Sequence, residues 1–394
     1  MKQPLLSVVI ATKDREEFCI ASIASILNLN DDRIQIAVAD NSATEKIKNY
    51  ITQLNHPAVD YIYDSGGVSF IENYNRATEL AKGEFVIMLG DDYTILPNCV
   101  ELAALMKEKD VDAISSNIYV EYFWPGTQAS GKGLLLIPRF SKTLKKINSR
   151  KNLKALLKGG ILEYHSYDLP KLYHGIVRKS KLDEVKRKVG SYYRGLSPDI
   201  YSAVALAIVI EKGYILDFPL SIAGVCKASA SFHEDKRAHC GSLADMPHLK
   251  YRKEPYKWND IIPRFNSGYT VWANSALDAI ADFKKQDLIS HFDNYKFYRR
   301  LNSIYPEILP DIFPQALEDT RVFLGADPQT FNQELSKIDR TPKFKKLLAI
   351  PNRVVRKLKS FSNTPASRFD DIKDIKAAMD QVSKTLDLSY QPNF

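Results

Sequence analysis

Alternation between apolar runs and amphipathic segments over residues 5–116 constrains the fold of this chain more than any other feature. The apolar runs span residues 5–11, 34–39, 59–63, 85–89 and 113–115. The segments with helical periodicity lie between them, at 16–27, 45–53, 70–81 and 97–109. Strands that alternate with helices of this length form a mostly parallel sheet with helices on its faces. We therefore predict an α/β fold for this part of the chain.

The remaining residues follow a different pattern. The alternation breaks near residue 118, and residues 118–245 mix irregular loops with short apolar runs and a helical segment at 198–212. Beyond residue 245 the pattern is helical and aromatic. A chain of 394 residues is long enough for two or three domains. We predict a division into residues 1–117, 118–245 and 246–394, the last being a helical C-terminal extension.

Composition and charge exclude some classes of protein and leave others open. No apolar stretch reaches the ~20 residues that span a bilayer, and no secretory signal opens the chain, so we expect a cytoplasmic protein. The four cysteines lack the spacing of a disulfide framework. Cys226, His233, His239 and Cys240 also lack the usual spacing of a zinc site. The net charge of +8 indicates an anionic partner, with nucleic acid, anionic lipid and a phosphorylated substrate all open.

Two adjacent acids, Asp91 and Asp92, follow the apolar run at 85–89. Ligands bind beyond the carboxyl ends of the strands in open α/β sheets. Mg²⁺ and similar cations prefer one or two carboxylates together with phosphate oxygens. This position therefore predicts a site for a divalent cation and a diphosphate, while the alternative is an ordinary acidic turn.

Polar residues also follow the first two predicted strands. Residues 11–15 read Ala-Thr-Lys-Asp-Arg, and residues 40–42 read Asp-Asn-Ser. In a parallel sheet these turns lie on the same edge as Asp91 and Asp92, where they could frame a nucleoside. The alternative for each is simpler, because Asp14 could cap a helix and residues 40–42 make a good turn.

Together these motifs resemble those of family 2 glycosyltransferases. The motifs are Ser-Val-Val-Ile-Ala-Thr-Lys-Asp-Arg at 7–15, Ala-Asp-Asn-Ser at 39–42, Asn75 before Ala-Lys-Gly-Glu at 81–84, and Leu-Gly-Asp-Asp-Tyr at 89–93 with Pro97 following. The resemblance covers residues 5–117 well, is weaker over 160–235 and is absent beyond 250. It implies a GT-A fold, in which a nucleotide-sugar-binding half (1–117) joins an acceptor-binding half (118–245).

The resemblance also implies roles for individual residues. The residues implied to bind the nucleotide or its diphosphate are Ala11, Thr12, Arg15, Asp40, Asn75, Asp91 and Asp92, with Asp40 on the base. Asp92 is implied to hold Mn²⁺ or Mg²⁺, with His233 as a second metal-binding residue. The sequence departs from the family at Gly90, which stands where many members have the first acid of an Asp-x-Asp triplet, and at Tyr93, which replaces a frequent Asp or Asn.

A catalytic base is predicted at Asp199, in the segment Gly-Leu-Ser-Pro-Asp-Ile-Tyr at 195–201. Glycosyl transfer with inversion needs a group that takes the proton of the acceptor hydroxyl. Family members usually place an acid at the start of a helix in this region. The structural alternative is that Ser197 caps the helix, Pro198 is its first residue and Asp199 favours the helix dipole. The two interpretations are compatible.

The function implied by the resemblance is an inverting, metal-dependent glycosyltransferase. It would move a sugar from a nucleotide-diphosphate donor, with UDP as the expected nucleotide, to a hydroxyl of a surface-glycan acceptor that is free or lipid-linked. The alternatives are a catalytically inactive relative that binds glycan or nucleotide, and a sugar nucleotidyltransferase, although residues 11–15 lack the glycines of the latter. A nucleic-acid partner is not expected, since lysines and arginines are not interleaved with stacking aromatics.

Two basic stretches leave alternatives open. Residues 132–158 hold nine Lys/Arg and no acid, which suits a flap over the diphosphate, a face for an anionic acceptor or a solvated surface. Residues 343–361 predict a basic amphipathic helix, which could lie on an anionic membrane or pack on the core. Peripheral attachment to the inner face of the cell membrane is therefore left open.

Overall fold

The computed structural model describes residues 3–127, 130–227, 240–337 and 367–394. Their strands are β1 (Leu6–Thr12), β2 (Ile34–Asp40), β3 (Val59–Tyr63), β4 (Phe85–Leu89), β5 (Thr94–Ile95), β6 (Ala113–Ser115), β7 (Val120–Phe123), β8 (Leu134–Ile137), β9 (Leu144–Lys146), β10 (Gly175–Arg178), β11 (Gly213–Leu216), β12 (Ser221–Val225) and β13 (Ser367–Asp370). Their helices are α1 (Glu16–Leu27), α2 (Lys46–Leu54), α3 (Phe70–Glu79), α4 (Asn98–Glu108), α5 (Ser149–Lys158), α6 (Lys179–Val189), α7 (Pro198–Val209), α8 (Gly268–Asp282), α9 (Gln286–Ile289), α10 (Asn294–Asn302), α11 (Tyr305–Ile308), α12 (Phe313–Phe323), α13 (Pro328–Ser336) and α14 (Ile375–Thr385). The predicted α/β fold with a helical C-terminal region is confirmed.

The strand order of the larger sheet reverses at one place, between β1 and β4, which is called a switch point. The strand order is β3-β2-β1-β4-β10-β6-β11-β9. β1, β2, β3 and β4 are mutually parallel, whereas β10 runs antiparallel to both β4 and β6. The chain builds outward from β1 to β3 and then crosses to the other side of β1 to add β4. Open α/β sheets bind ligands at such a switch point, beyond the carboxyl ends of the strands.

The strands on either side of this switch point are held rigidly. Every residue of β1 and of β4 is buried, because helices or a second sheet cover both faces. Successive side chains point to opposite faces, so Val9 packs in the core beneath α3, α7 and α8, while Val8 and Ile10 pack with α1 and α4. The turns that follow the strands therefore start from fixed positions.

The smaller sheet, in the order β13-β8-β7-β12-β5, joins the C-terminal residues to the first part of the chain. β13 pairs antiparallel with β8, and α14 packs on α1. Ile375 and Val382 of α14 are buried in the same core as Ile10. Helix α8, which also follows residue 245, packs on α7 and not on α1. The predicted division at residues 117 and 245 stays a prediction, but residues 268–336 and 367–394 attach to different parts of the protein.

A membrane-spanning segment is not found in the part of the chain that the structure describes: no helix there has both the length and the apolar composition that a bilayer crossing needs. The predicted amphipathic helix at 343–361 lies outside the described residues. Membrane association through that helix therefore stays a prediction.

Gly133 tests how firmly the C-terminal residues are attached. It has φ +95°, and a Cβ there would lie 1.8 Å from the carbonyl oxygen of Ile372, just after β13. We expect Gly133→Ala to lower the free energy of unfolding by at least about 1 kcal/mol, because alanine disfavours positive φ and pushes residue 372 away. Urea unfolding measures the change. Gly131→Ala is the matched control, since a Cβ there meets nothing within 4 Å; an equal loss in both variants would contradict the prediction.

Candidate active site

A cavity of about 760 Å³ opens at the switch point between β1 and β4. It is lined by the strand ends, by loop residues between 116 and 174, by the start of α7 and by residues from the C-terminal part of the chain. The residues predicted from the sequence that line it are Ala11, Thr12, Arg15, Asp91, Asp92 and Asp199. Side chains far apart in sequence thus meet in one enclosed space.

Arg15 joins the two acids that follow β4. Its Nη1 lies 2.7 Å from Asp91 Oδ1, and its Nη2 lies 2.7 Å from Asp92 Oδ2. Thr12, the last residue of β1, donates its hydroxyl to Asp91 Oδ2 at 2.8 Å. Asp91 and Asp92 are 4% and 2% exposed, respectively. Two buried carboxylates are therefore held side by side with one guanidinium as counterion.

The electrostatics of this cluster reflect burial and mutual charge. Burial raises the pKa of Asp91 to about 7, Arg15 works against that rise, and the negative charge of Asp92 adds to it. Burial alone would lower the pKa of Arg15, but Asp91 and Asp92 outweigh it and raise that pKa. Arg15 therefore stays charged, and its positive charge offsets the negative charge of the buried acids.

The departure from the acidic triplet at Gly90 has a steric reason. A Cβ at residue 90 would lie 2.9 Å from the Tyr93 ring and 3.0 Å from the Tyr173 hydroxyl. Real Cβ atoms rarely come this close to other atoms, so a larger residue would displace one of the two tyrosines. The aromatic lining of the cavity occupies the space that the first acid of a triplet would need.

Asp199 begins α7 and faces the same cavity. Its Oδ2 accepts a hydrogen bond from the Tyr164 hydroxyl at 2.5 Å, and its Oδ1 accepts from the backbone N–H of Ile200 at 2.7 Å. The Ser197 hydroxyl donates to Oδ1 as well. Ser197 is the N-cap residue of α7 and Pro198 is the first helical residue, as the structural alternative predicts, but the Ser197 hydroxyl donates to Asp199 and not to a backbone N–H of the helix.

Aromatic and histidine side chains line the cavity around Asp199, and the sequence analysis missed them. They are Tyr119, Tyr164, His165, Tyr173, His174 and Trp272. His174 stacks on Tyr119 with 4.3 Å between ring centroids and on Tyr93 with 5.6 Å. No spacing in the sequence signals these residues, since they come from irregular loops and from α8.

Lys171 is a buried cation at the same end of the cavity. It is 6% exposed, and its ammonium donates to Asn117 Oδ1 at 2.6 Å and to the carbonyl of His165 at 2.8 Å. Burial lowers its pKa to about 8. Lys171 thus fixes two loops that line the cavity and adds positive charge beside them.

Two predicted nucleotide-binding residues do not line the cavity. Asp40 is fully buried and accepts from the Ser42 N–H and the Tyr61 hydroxyl, each at 2.8 Å. Asn75 exchanges hydrogen bonds with the backbone of residues 192 and 193, so its amide holds a loop rather than a ligand. Asn41 lines the cavity instead. His233 lies outside the described residues, so its predicted role is not addressed by this structure.

Comparison with known proteins gives a family for the first part of the chain. Residues 7–155 match the family described as Glycosyl transferase family 2. The chain carries a family 2 glycosyltransferase domain. The resemblance drawn from the motifs is thereby confirmed over residues 7–155.

Individual relatives match the glycosyltransferase domain at low identity. One is the Escherichia coli K12 protein named "Putative colanic acid biosynthesis glycosyl transferase WcaA", 28% identical over 108 residues, which cover 27% of this chain and 39% of that protein. The chain thus spans about two-fifths of the length of this relative.

Two solved structures are similar over almost the whole chain. S. aureus TarS 1–349 in complex with UDP-GlcNAc is 12% identical, with a TM-score of 0.49, and covers 97% of this chain and 92% of its own. The mannosyltransferase PcManGT from Pyrobaculum calidifontis in complex with GDP-Man and Mn²⁺ is 12% identical, with a TM-score of 0.43, and covers 98% and 89%.

The donor set of the glycosyltransferase domain fits a divalent cation. Within the described ranges, no three His, Cys, Asp or Glu side chains converge as a metal cluster. Magnesium and similar ions do not need one, because one or two carboxylates plus substrate phosphates suffice. Asp91 and Asp92 supply two adjacent carboxylates at the cavity wall. Arg15 already contacts both, so a cation would share them with the guanidinium or displace it.

Arg15 allows a direct test of this cluster. Arg15→Met removes the guanidinium from between two buried carboxylates, so we expect a loss of about 3 kcal/mol in the free energy of unfolding at neutral pH. Arg33→Met is the matched control. Arg33 also contacts two acids, Asp31 and Glu101, but on the surface, so its loss should lower the free energy of unfolding by about 1 kcal/mol or less. Urea unfolding measures both variants, and equal losses would refute the role of Arg15 as counterion.

His174 makes the free energy of unfolding depend on pH. Burial, with the charges of His165 and Lys171, lowers the pKa of His174 to about 3 from its ordinary value near 6.5. Between these values the unfolded chain binds a proton that the folded chain does not. Folding stability must therefore fall as the pH drops below about 6.5, by up to about 1.4 kcal/mol per pH unit from this residue.

A histidine substitution measures this contribution. His174→Gln should flatten the change in unfolding free energy between pH 7 and pH 5, as followed by urea titrations at several pH values. The exposed His56, replaced in the same way, serves as control and should leave the slope unchanged. Parallel pH profiles for the His174 variant and the unaltered protein would contradict the prediction.

Proposed function

We propose that this protein is an inverting, metal-dependent glycosyltransferase. It would transfer a sugar from a nucleotide diphosphate, with UDP as the first choice, to a hydroxyl of a glycan acceptor. The observation that carries the proposal is that the Asp91–Asp92 pair and Asp199 line one cavity at the switch point of the sheet. The family match of residues 7–155 gives the reaction class.

The donor would occupy the end of the cavity at β1 and β2. Thr12, Asn41 and Lys13 line that end, and the Lys13 ammonium lies 4.7 Å from the centre of the Tyr251 ring. Lys13 and Arg15 place positive charge where a diphosphate would lie. Asp92 would hold the metal ion, which, when bound, neutralises the negative charge that develops on the departing diphosphate.

The acceptor would enter between Asp199 and the aromatic lining. Its hydroxyl oxygen attacks the anomeric carbon, the bond from that carbon to the diphosphate oxygen breaks, and the electron pair leaves with the nucleotide. Asp199 takes the hydroxyl proton. The Tyr164 hydroxyl holds the carboxylate of Asp199 in place, so Tyr164 is a positioning residue. A single displacement of this kind inverts the configuration of the sugar.

We also propose a biosynthetic role for the transfer. The E. coli relative is named for colanic acid biosynthesis, which supports a role in assembling a surface glycan, although it is matched over 39% of its length. The acceptor would then be a polysaccharide or a lipid-linked glycan. Attachment to an anionic membrane surface through residues 343–361 belongs to the same proposal.

One observation favours a second candidate. Arg15 contacts both carboxylates that a metal ion would use. If the guanidinium kept that place, the protein would bind nucleotide or glycan without catalysing transfer. Binding and turnover separate the two candidates.

Thermal shift and turnover assays test the proposal. UDP with Mn²⁺ should raise the melting temperature more than either alone, and UDP should be released from a suitable UDP-sugar. Asp92→Asn should weaken the joint UDP–Mn²⁺ shift. Asp199→Asn should keep that shift and reduce UDP release by about 10²–10⁴-fold, because it removes only the base.

Asp319→Asn, an exposed acid on α12, is the control and should behave as the unaltered protein. Full UDP release by the Asp199 variant would refute its role as base. A strong UDP–Mn²⁺ shift without turnover of any nucleotide sugar in a panel, glycan acceptors included, would favour the non-catalytic candidate.

A further inference from the structure

The basic stretch at 132–158 forms β8, β9 and α5, and four of its nine cations lie on one face of α5. The cationic residues of this helix are Arg150, Lys151, Lys154 and Lys158. At 3.6 residues per turn, all four project within an arc of about 100°. The leucines of α5 lie on the other side and are buried in the core. This basic face does not line the cavity that holds Asp92.

Most of these cations lack a carboxylate partner. In the described part of the chain, no acid lies within salt-bridge distance of Lys151, Lys154 or Lys158, and Arg150 has only Asp287 at 3.8 Å, on the surface. Helix α6 is similarly rich in lysine but differs here: Lys179, Lys181 and Lys186 each contact a carboxylate. The unpaired charge of α5 is therefore a local feature, not a consequence of a basic chain.

The arrangement is unfavourable for the isolated helix. Arg150 and Lys154, and Lys154 and Lys158, are like charges four residues apart, which costs about 0.2–0.5 kcal/mol per pair. Arg150 and Lys151 also lie in the first turn, at the positive end of the helix dipole, and no acid shares that turn. A bound anion would reverse both effects.

The basic face borders a concave surface. Two cavities, of about 1050 and 470 Å³, meet at Asn148 and Arg150, next to the start of α5. Lys146, Lys284 and Lys285 line the larger one. Of the two acids in its lining, Asp282 is already paired with Arg194 at 3.0 Å. We call this surface, from Lys146 along α5 to Lys158, the α5 groove.

We propose that the α5 groove binds a polyanionic glycan, a chain that carries repeated phosphate or carboxylate groups. A row of cations without carboxylate partners matches repeated anions, and the positive end of the α5 dipole lies at the same place, although the Asn148 side chain already accepts from the Lys151 N–H. A concave surface suits a polymer better than a flat bilayer. Moreover, none of the large apolar side chains that the described residues expose lies on α5 or β9, so nothing there would insert into a membrane.

The groove leads toward the proposed site of transfer. Helix α5 is about 15 Å long and ends at Lys158, and the chain then passes to Tyr164 and His165, which line the active-site cavity. Asn152 of α5 donates to the carbonyl of Asp168, which ties the helix to the same loop. A polymer that followed α5 to Lys158 would thus extend toward the loop that lines that cavity. The role of this polymer as the acceptor rests on the proposed function. The binding of the polymer to the α5 groove does not depend on that function.

Binding to defined polymers tests the inference. The probes are polygalacturonate and inorganic polyphosphate, with neutral dextran for comparison and vesicles of phosphatidylglycerol and phosphatidylcholine as the membrane arm. The triple variant Lys151→Gln/Lys154→Gln/Lys158→Gln should bind both polyanions at least about tenfold more weakly at low salt, with a smaller salt dependence, because fewer counterions are released. Dextran should not bind.

The matched control, Lys107→Gln/Lys109→Gln/Lys186→Gln, removes the same charge from three lysines that already pair with carboxylates, and it should bind as the unaltered protein does. Melting curves and the UDP–Mn²⁺ shift should be the same in all three proteins. Equal losses in both variants, no polyanion binding by the unaltered protein, or binding to vesicles alone would each overturn the proposal. Failure of the UDP–Mn²⁺ shift in the unaltered protein would instead count against the proposed transferase.

Discussion

The contact of one guanidinium with two buried carboxylates is the interaction on which the proposed site depends. Asp91 and Asp92 follow β4 in a place that is almost closed to water, where two ionised acids would repel each other strongly. Arg15 supplies the compensating charge from the neighbouring turn after β1. Arg15 thereby keeps two carboxylates at the cavity wall, where a divalent cation could bind them beside the guanidinium or in its place. An apolar pair at these positions would pack as well but could not recruit a cation.

The topology explains how distant residues reach this pair. Because β1 and β4 are neighbours on opposite sides of the switch point, Thr12 can hydrogen-bond to Asp91. The antiparallel β10 then brings the loop before it, with Tyr173 and His174, to the same edge. Helix α8, from the C-terminal part, adds Trp272. The cavity is therefore complete only when the C-terminal helices have packed on the glycosyltransferase domain.

Residues at strand ends could be predicted from the sequence, and residues in loops could not. Asp91, Asp92, Thr12 and Arg15 follow buried strands, whose apolar runs are easily recognised and whose ends must meet. Asp199, which lines the cavity, was predicted because family 2 glycosyltransferases usually place an acid at the start of a helix in this region. Asn75, predicted in the nucleotide pocket, does not line the cavity, since a motif does not reveal that the backbone near residue 193 uses its amide. Tyr164 and Trp272 carry no local signal at all; only tertiary packing brings them to the cavity.

The two lysine-rich helices show why charge runs need a structure to interpret them. From the sequence, α6 and α5 are both basic segments, and a solvated surface is a fair explanation of either. In the folded protein the lysines of α6 meet acids from its own turn and from α3, such as Glu79, so their charge is satisfied locally. Among the described residues, no acid lies within salt-bridge distance of Lys151, Lys154 or Lys158, and Arg150 reaches only Asp287. The two helices differ not in composition but in the residues that the fold places opposite them. For this reason we propose an anionic partner for α5 and not for α6.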